Sequence, residues 1–242
     1  MSESTITNSL FNSGLSIIIP VLNEAETINK TLATLKSSLS NNDEIIIVDG
    51  GSTDKTLGLC RNFTEHCFQS NQGRAQQMNV GASKANNETL VFLHADTLVP
   101  HDFSSVIRSE VNKKLTADKK MFWGFFKVRL SGSQFVFKII SSLINFRSCL
   151  SRIATGDQVI FVSKELFNNI NGYPNIPLME DISISRCLKK LFNPICIQHT
   201  VTTSSRKWIT EGVISTILLM WKIRFLFFIG VAPEKLVKIY YK

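Results

Sequence analysis

The chain has 242 residues, 44% of them hydrophobic, and a formal net charge of +8; that length suits one large α/β domain with a core that needs no staples. No dense Lys/Arg block or nucleic-acid motif is present, so the basic balance points to phosphate-bearing substrates or acidic lipid and away from nucleic acid. The five cysteines (Cys60, Cys67, Cys149, Cys187, Cys196) form no CxxC pair, which excludes a zinc ribbon and reads as buried free thiols in a reducing cytosol. Residues 1–14 (MSESTITNSLFNSG) are polar and aperiodic and are expected as a flexible tail, without the basic start and apolar core of a secretory signal. Residues 15–20 (LSIIIP) form a β-branched apolar run stopped by proline, a strand buried on both faces. Helical spacing follows over 27–39, with Ile28, Leu32, Leu35 and Leu39 on one face. Residues 44–48 (EIIIV) predict a second strand, Ser52 or Thr53 a cap for a helix running to Cys60, 66–69 a short strand, 73–85 a helix and 89–93 (TLVFL) another buried strand. The remaining expected elements are strands over 122–130, 158–162 and 195–201, and helices over 133–146, 164–170 and 180–191. One long apolar helix is expected over 209–229.

Strand alternating with helix at this spacing predicts an α/β, Rossmann-like, doubly wound and mostly parallel sheet with helices on both faces, as a single domain over 15–242. Ligands of such sheets lie at the carboxyl ends of the strands, and the three strong strands end in polar residues: Asn23 and Glu24, Asp49, and Asp96. Asp49, followed by Gly50 and Gly51, suits a ribose hydroxyl or a base edge, or simply a capped turn. Asp96 at a strand end suits Mg²⁺ or Mn²⁺ on a diphosphate, with His94 as second ligand or phosphate donor. Arg74, at a helix amino end, suits a phosphate or uracil. Of Glu180 and Asp181, Asp181 is the expected general base and Glu180 the reserve; dipole capping accounts for either equally well. A nicotinamide-dependent oxidoreductase is excluded because PVLNEAET follows the first strand, with no glycine.

Taken in order, SIIIPVLNEAETI, IIIVDGGSTDKT, GRAQQMNVGA, LHADT, TGDQVIFV and PLMEDI resemble glycosyltransferase family 2. HADT, ATGDQ, PLMED and TILLMW look closest to a bacterial subgroup associated with arsenosugar biosynthesis. The resemblance implies a GT-A fold and an inverting hexosyl transfer, metal-assisted, from a UDP- or GDP-sugar to an unidentified acceptor, lipid-linked or a small molecule. It implies that Pro20, Asn23 and Glu24 hold the base and ribose and that Asp49 with Gly50 reads the nucleoside. Arg74 is then the basic residue that follows, Asp96 the second acid of the DXD motif, and Asp181 the base of the ED pair. Asp157 and Gln158 fall on the acceptor-side segment, and Arg206 and Trp208 on an Arg/Trp pair near the diphosphate and acceptor. One departure stands out: the DXD motif reads His94-Ala95-Asp96, which lacks its first acid and keeps a non-catalytic nucleotide-sugar-binding protein as the alternative.

Residues 213–232 (VISTILLMWKIRFLFFIGVA) are long enough to raise a membrane span. Lys222 and Arg224 at its middle each cost about 2.5–3.5 kcal/mol at a bilayer centre, which disfavours spanning. The expectation is a cytoplasmic protein with peripheral contact at the inner face of the membrane.

Overall fold

A computed structural model describes residues 14–115 and 120–241; apart from Gly14, the expected tail lies outside them. The amino-terminal half runs β1 (Leu15–Val21), α1 (Ile28–Lys36), β2 (Glu44–Asp49), α2 (Thr56–Cys60), β3 (Cys67–Gln69), α3 (Arg74–Lys84), β4 (Thr89–Phe92), β5 (Thr97–Leu98) and α4 (Phe103–Asn112). It continues through β6 (Trp123–Leu130), α5 (Phe135–Ser151), a 3₁₀ turn over Gly156–Gln158, β7 (Ile160–Ser163), α6 (Lys164–Asn169), α7 (Glu180–Leu191), β8 (Ile195–Thr203), α8 (Arg206–Thr210), α9 (Val213–Phe228) and α10 (Pro233–Tyr240).

The strands form one eight-stranded sheet in the order β3-β2-β1-β4-β7-β6-β8-β5. The strands from β3 to β4 pair in parallel, β7 runs antiparallel to both β4 and β6, and β6 pairs with β8 in parallel. The sheet is thus mixed in its second half, where the hydrophobic pattern alone carries no direction.

Continuous Ile/Val runs in β1 and β2 are explained by burial on both faces. Ile17, Ile19, Ile45 and Ile47 face one core with α1 and α4, while Ile18, Ile46 and Val48 face the other with α3, α6 and α7. Each such side chain stabilises the fold by about 1.5–3 kcal/mol. α3 lies close on β1 because a Cβ at Gly81 would run into the Ile18 side chain.

Three expectations change. Ser52 and Thr53 cap no helix: Ser52 is drawn to Asp49 and Thr53 to Asn23, so α2 starts later, at Thr56. The long apolar helix is broken at Gly212, whose φ of 82° favours glycine; α8 precedes the break, α9 follows it, and Pro233 starts α10. Among the described residues no helix is long and apolar enough to cross a membrane. The cysteines are not all free thiols either: Cys149 on α5 and Cys196 on β8 are joined, with Cα atoms 6.5 Å apart. Cys60 is buried and free, and Cys187 is exposed.

Candidate active site

From β1 the chain winds outward through β2 to β3, then returns to β4 on the other side of β1. The loops after β1 and β4 therefore diverge and leave a crevice, the usual ligand position of a doubly wound sheet. A cavity of about 540 Å³ opens there. Pro20, Val21, Leu22 and Glu24 line it from β1, and His94, Ala95 and Asp96 from β4. Gln72, Gly73 and Arg74 bring the amino end of α3 to it, and Glu180 brings the start of α7. The unpaired N–H groups of that helix end and the Arg74 guanidinium make this side of the cavity a site for anionic oxygens.

Of the residues singled out in the sequence, Pro20, Glu24, Arg74, His94, Asp96 and Glu180 gather on this one cavity. The loop residues beside them have other work. Asp49 is 1% exposed; its carboxylate accepts the N–H groups of Gly51 and Ser52 and the Ser52 hydroxyl. Asp49 therefore shapes the DGGS loop beside the cavity. Gly50 lies beside Gln77, a lining residue, whose side chain a Cβ at Gly50 would touch. Asn23, at φ 53°, accepts the Thr53 N–H at 2.8 Å and so ties the two loops together. Arg206 stands at the rim, 4.0 Å from Glu24 and 3.6 Å from Glu26. Trp208 does not line the cavity: it packs against Leu130, Phe137 and Ile140.

A second cluster joins the end of β4 to the start of α7. His94 Nδ1 lies 3.3 Å from Asp157 Oδ1, and Gly156 sits so close to the imidazole that a Cβ there would strike its Cε1 and Nε2. The Gly156 N–H donates to Asp181 Oδ2 at 2.8 Å, and the Ile182 N–H to Asp181 Oδ1 at 2.7 Å. Gln158, expected on the acceptor side, is fully buried. It accepts the Ser148 hydroxyl at 2.7 Å and donates to the Phe126 carbonyl, so it anchors the turn. Val159 and Met179, which flank the cluster, hold φ at 51° and 70°. Such conformations cost a branched or bulky side chain about 1–3 kcal/mol and persist where the surroundings enforce them.

The electrostatics follow from this crowding. Arg74 is exposed; the groups crowded at its base oppose its charge, but the neighbouring Glu180 and Asp157 outweigh them and hold the guanidinium above its ordinary value. The groups crowded around Asp157 oppose its charge although its side chain is 52% exposed, and His94 and Arg74 overcome them, leaving that carboxyl low. Glu180 is raised by burial and by Asp181 beside it, against the pull of Arg74. Asp181 is raised by burial, against the two backbone N–H donors.

A raised carboxyl favours the protonated folded state. The stability contributed by Glu180 is thus present at low pH and lost as pH rises above 4.5 through its folded value. Glu180→Gln is expected to raise Tm at pH 8 and to leave it unchanged near pH 4; a melting series over that range checks the sign.

The metal expectation narrows here. Among the described residues no group of three or more His, Cys, Asp or Glu is placed to hold an ion. His94 Nδ1 faces Asp157, and a Cβ at Gly156 would strike the Cε1–Nε2 edge of its ring. Asp96 lines the same cavity, and a carboxylate beside a diphosphate is a donor set that Mg²⁺ or Mn²⁺ accepts when the diphosphate supplies the other oxygens.

Sequence reasoning missed Gln77, which donates to the carbonyls of Val21 and Val48 and so fixes the ends of β1 and β2 at the cavity floor. It also missed Val237 and Tyr241, which α10 brings to the cavity wall and which no spacing in the sequence announces.

The chain is similar to known proteins in sequence and in fold. A Haemophilus influenzae protein described as an uncharacterized glycosyltransferase is 25% identical over 200 residues, covering 79% of this chain and 78% of its own length. The mannosyltransferase PcManGT from Pyrobaculum calidifontis, in complex with GDP-Man and Mn²⁺, superposes with a TM-score of 0.60 at 19% identity, over 87% of this chain. This chain spans 60% of that one. Glucosyl-3-phosphoglycerate synthase from Mycobacterium tuberculosis, with Mg²⁺ and UDP, gives a TM-score of 0.56 at 16% identity, covering 84% of this chain and 74% of the other. The two structural likenesses are likenesses of fold, here the GT-A type. Residues 16–123, which carry β1 to β4 and most of the cavity, match the family described as Glycosyl transferase family 2.

Proposed function

We propose that the protein transfers a sugar from a nucleoside diphosphate sugar, of the uridine or guanosine type, to an acceptor hydroxyl with inversion at the anomeric carbon. The observation that carries this reading is one cavity at the β1/β4 crevice. It joins a helix amino end, Arg74, the Asp96 carboxylate and the buried Glu180. The diphosphate lies against the amino end of α3 and Arg74, and the nucleoside along Pro20 to Glu24. A Mg²⁺ or Mn²⁺ held by Asp96 and the diphosphate would neutralise charge on the leaving group.

Asp181 is the proton acceptor. Its two backbone donors fix its direction, each oxygen keeps a further lone pair, and its raised affinity for a proton suits a base. The acceptor oxygen bonds to the anomeric carbon, the bond from that carbon to the diphosphate breaks, and the hydroxyl proton passes to Asp181. Glu180 sustains the charge of Arg74 at the diphosphate.

Release of nucleoside diphosphate from UDP- and GDP-sugars, measured with and without Mn²⁺ or Mg²⁺, tests the reading. Metal-stimulated release is expected from the unaltered protein. Asp96→Ala is expected to abolish the metal-dependent part, a loss of about 10²-fold or more. Donor binding without any turnover, in the presence of candidate hydroxyl acceptors, would favour a binding protein of the same fold.

A further inference from the structure

Outside the cavity, the largest feature without a partner is apolar. On α5, Phe135, Ile139, Leu143, Phe146 and Leu150 are 46–73% exposed and share one helical face. On α9, Ile214, Leu218, Trp221, Phe225 and Phe228 are 61–75% exposed and do the same. The two faces border one seam, because Val213 and Ile217 of α9 pack into the cluster built on Phe137 and Ile140 of α5. Folded monomers rarely expose so much contiguous apolar surface without a use for it.

The charges around this surface select its partner. Across 135–151 and 213–240 there are six cations (Lys138, Arg147, Lys222, Arg224, Lys235, Lys238) and a single acid, Glu234. At about 100° per residue, Lys222 and Arg224 stand about 80° to either side of the α9 stripe, and Lys138 lies beside the α5 stripe. Flexible cationic stems flanking an apolar stripe place their heads at the level of lipid phosphates while the stripe enters the acyl boundary. Trp221 is 71% exposed in the middle of that stripe, and an amphipathic ring is favoured at the interface. A second copy of the chain fits less well, since its cationic rim would meet an identical one.

We propose that the exposed faces of α5 and α9 form a docking surface for an anionic phospholipid bilayer. α9 packs on α10, as Leu236 of α10 and Ile223 of α9 share a core, and α10 supplies Val237, with Tyr241 just past its end, to the cavity wall. Docking therefore sets the cavity beside the bilayer. The acceptor class that follows is a hydroxyl-bearing molecule held in the membrane, a consequence that rests on the transfer reading above.

Flotation of the full chain with phosphatidylcholine vesicles, and with vesicles containing 30% phosphatidylglycerol (roughly the anionic share that gives a strong surface potential), tests the surface. Binding to the anionic vesicles only, weakened at high salt, with a blue shift of tryptophan emission that Trp221→Phe removes, is the expected result. Leu218→Asp with Phe225→Asp, and separately Leu143→Asp with Phe146→Asp, are expected to weaken partition by about tenfold or more. All four positions are solvent-exposed, so folding is preserved, and UDP and GDP binding measured on the same samples reports separately on the transfer reading. No flotation with either vesicle overturns the proposal. So does equal binding to neutral vesicles, or a concentration-dependent dimer that the same substitutions dissolve while vesicles bind nothing.

Discussion

Asp181→Asn is expected to lower kcat by about 10²–10⁴-fold while nucleoside diphosphate affinity stays within about twofold. Asparagine keeps the size of the side chain and an oxygen for one of the two backbone donors, Gly156 or Ile182, but it has no basic site for the acceptor proton. The effect therefore falls on turnover. The pH profile adds a second handle. Burial holds the Asp181 carboxyl above its ordinary 3.8, so kcat of the unaltered protein is expected to fall as pH drops through that raised value, and the limb should vanish in Asp181→Asn. Glu180→Gln separates the neighbours. It removes the charge that supports Arg74, so the loss is expected mainly in KM for the donor. A large kcat loss in Glu180→Gln with normal turnover in Asp181→Asn would move the base to Glu180.

Gly156→Ala is the second large effect. The added Cβ would strike the His94 ring, and neither the imidazole nor the turn can yield freely. The ring is tied to Asp157, and the turn is held through the buried Gln158 to Ser148 and Phe126. A loss of about 1–3 kcal/mol in stability is expected. Activity should fall by at least about tenfold, because the Gly156 N–H directs Asp181. Removing the ring makes room for the Cβ, so Gly156→Ala with His94→Ala is expected to be more stable than Gly156→Ala alone. Urea unfolding of the four proteins of this cycle decides it, and equal stability of Gly156→Ala and the unaltered chain would contradict the crowding.

Much of the frame was legible because burial on both faces demands unbroken apolar runs. LSIIIP, EIIIV and TLVFL could be nothing but inner strands, and the polar residues after them had to meet at the carboxyl edge. Pro20, Glu24, Asp96 and Arg74 do meet there. What the sequence could not convey was how each polar group is satisfied. Asp49 sits at its expected strand end, and three donors of its own loop bond its carboxylate. Gln158 lies in a recognisable segment, but its amide is spent on Ser148 and Phe126. The imidazole of His94 is claimed by residues more than sixty positions away, a partnership that no local spacing encodes. Strand direction was hidden as well. β7 runs against β4 and β6 because of how its flanking segments connect, while its IFVS sequence reads the same both ways. The break in the apolar helix at Gly212, where φ is 82°, went unread as well, because the apolar run continues on both sides of it.

On the proposed reading, the crevice between β1 and β4 binds a nucleoside diphosphate through the amino end of α3 and Arg74. Thermal unfolding of the unaltered chain and of Arg74→Ala, with UDP or GDP and Mn²⁺, tests it most directly. One of the two nucleotides should stabilise the unaltered chain, by about 2.7 kcal/mol at a hundredfold excess over Kd, and Arg74→Ala should lose most of that gain. No stabilisation by either nucleotide, or the same gain in both proteins, would contradict the account.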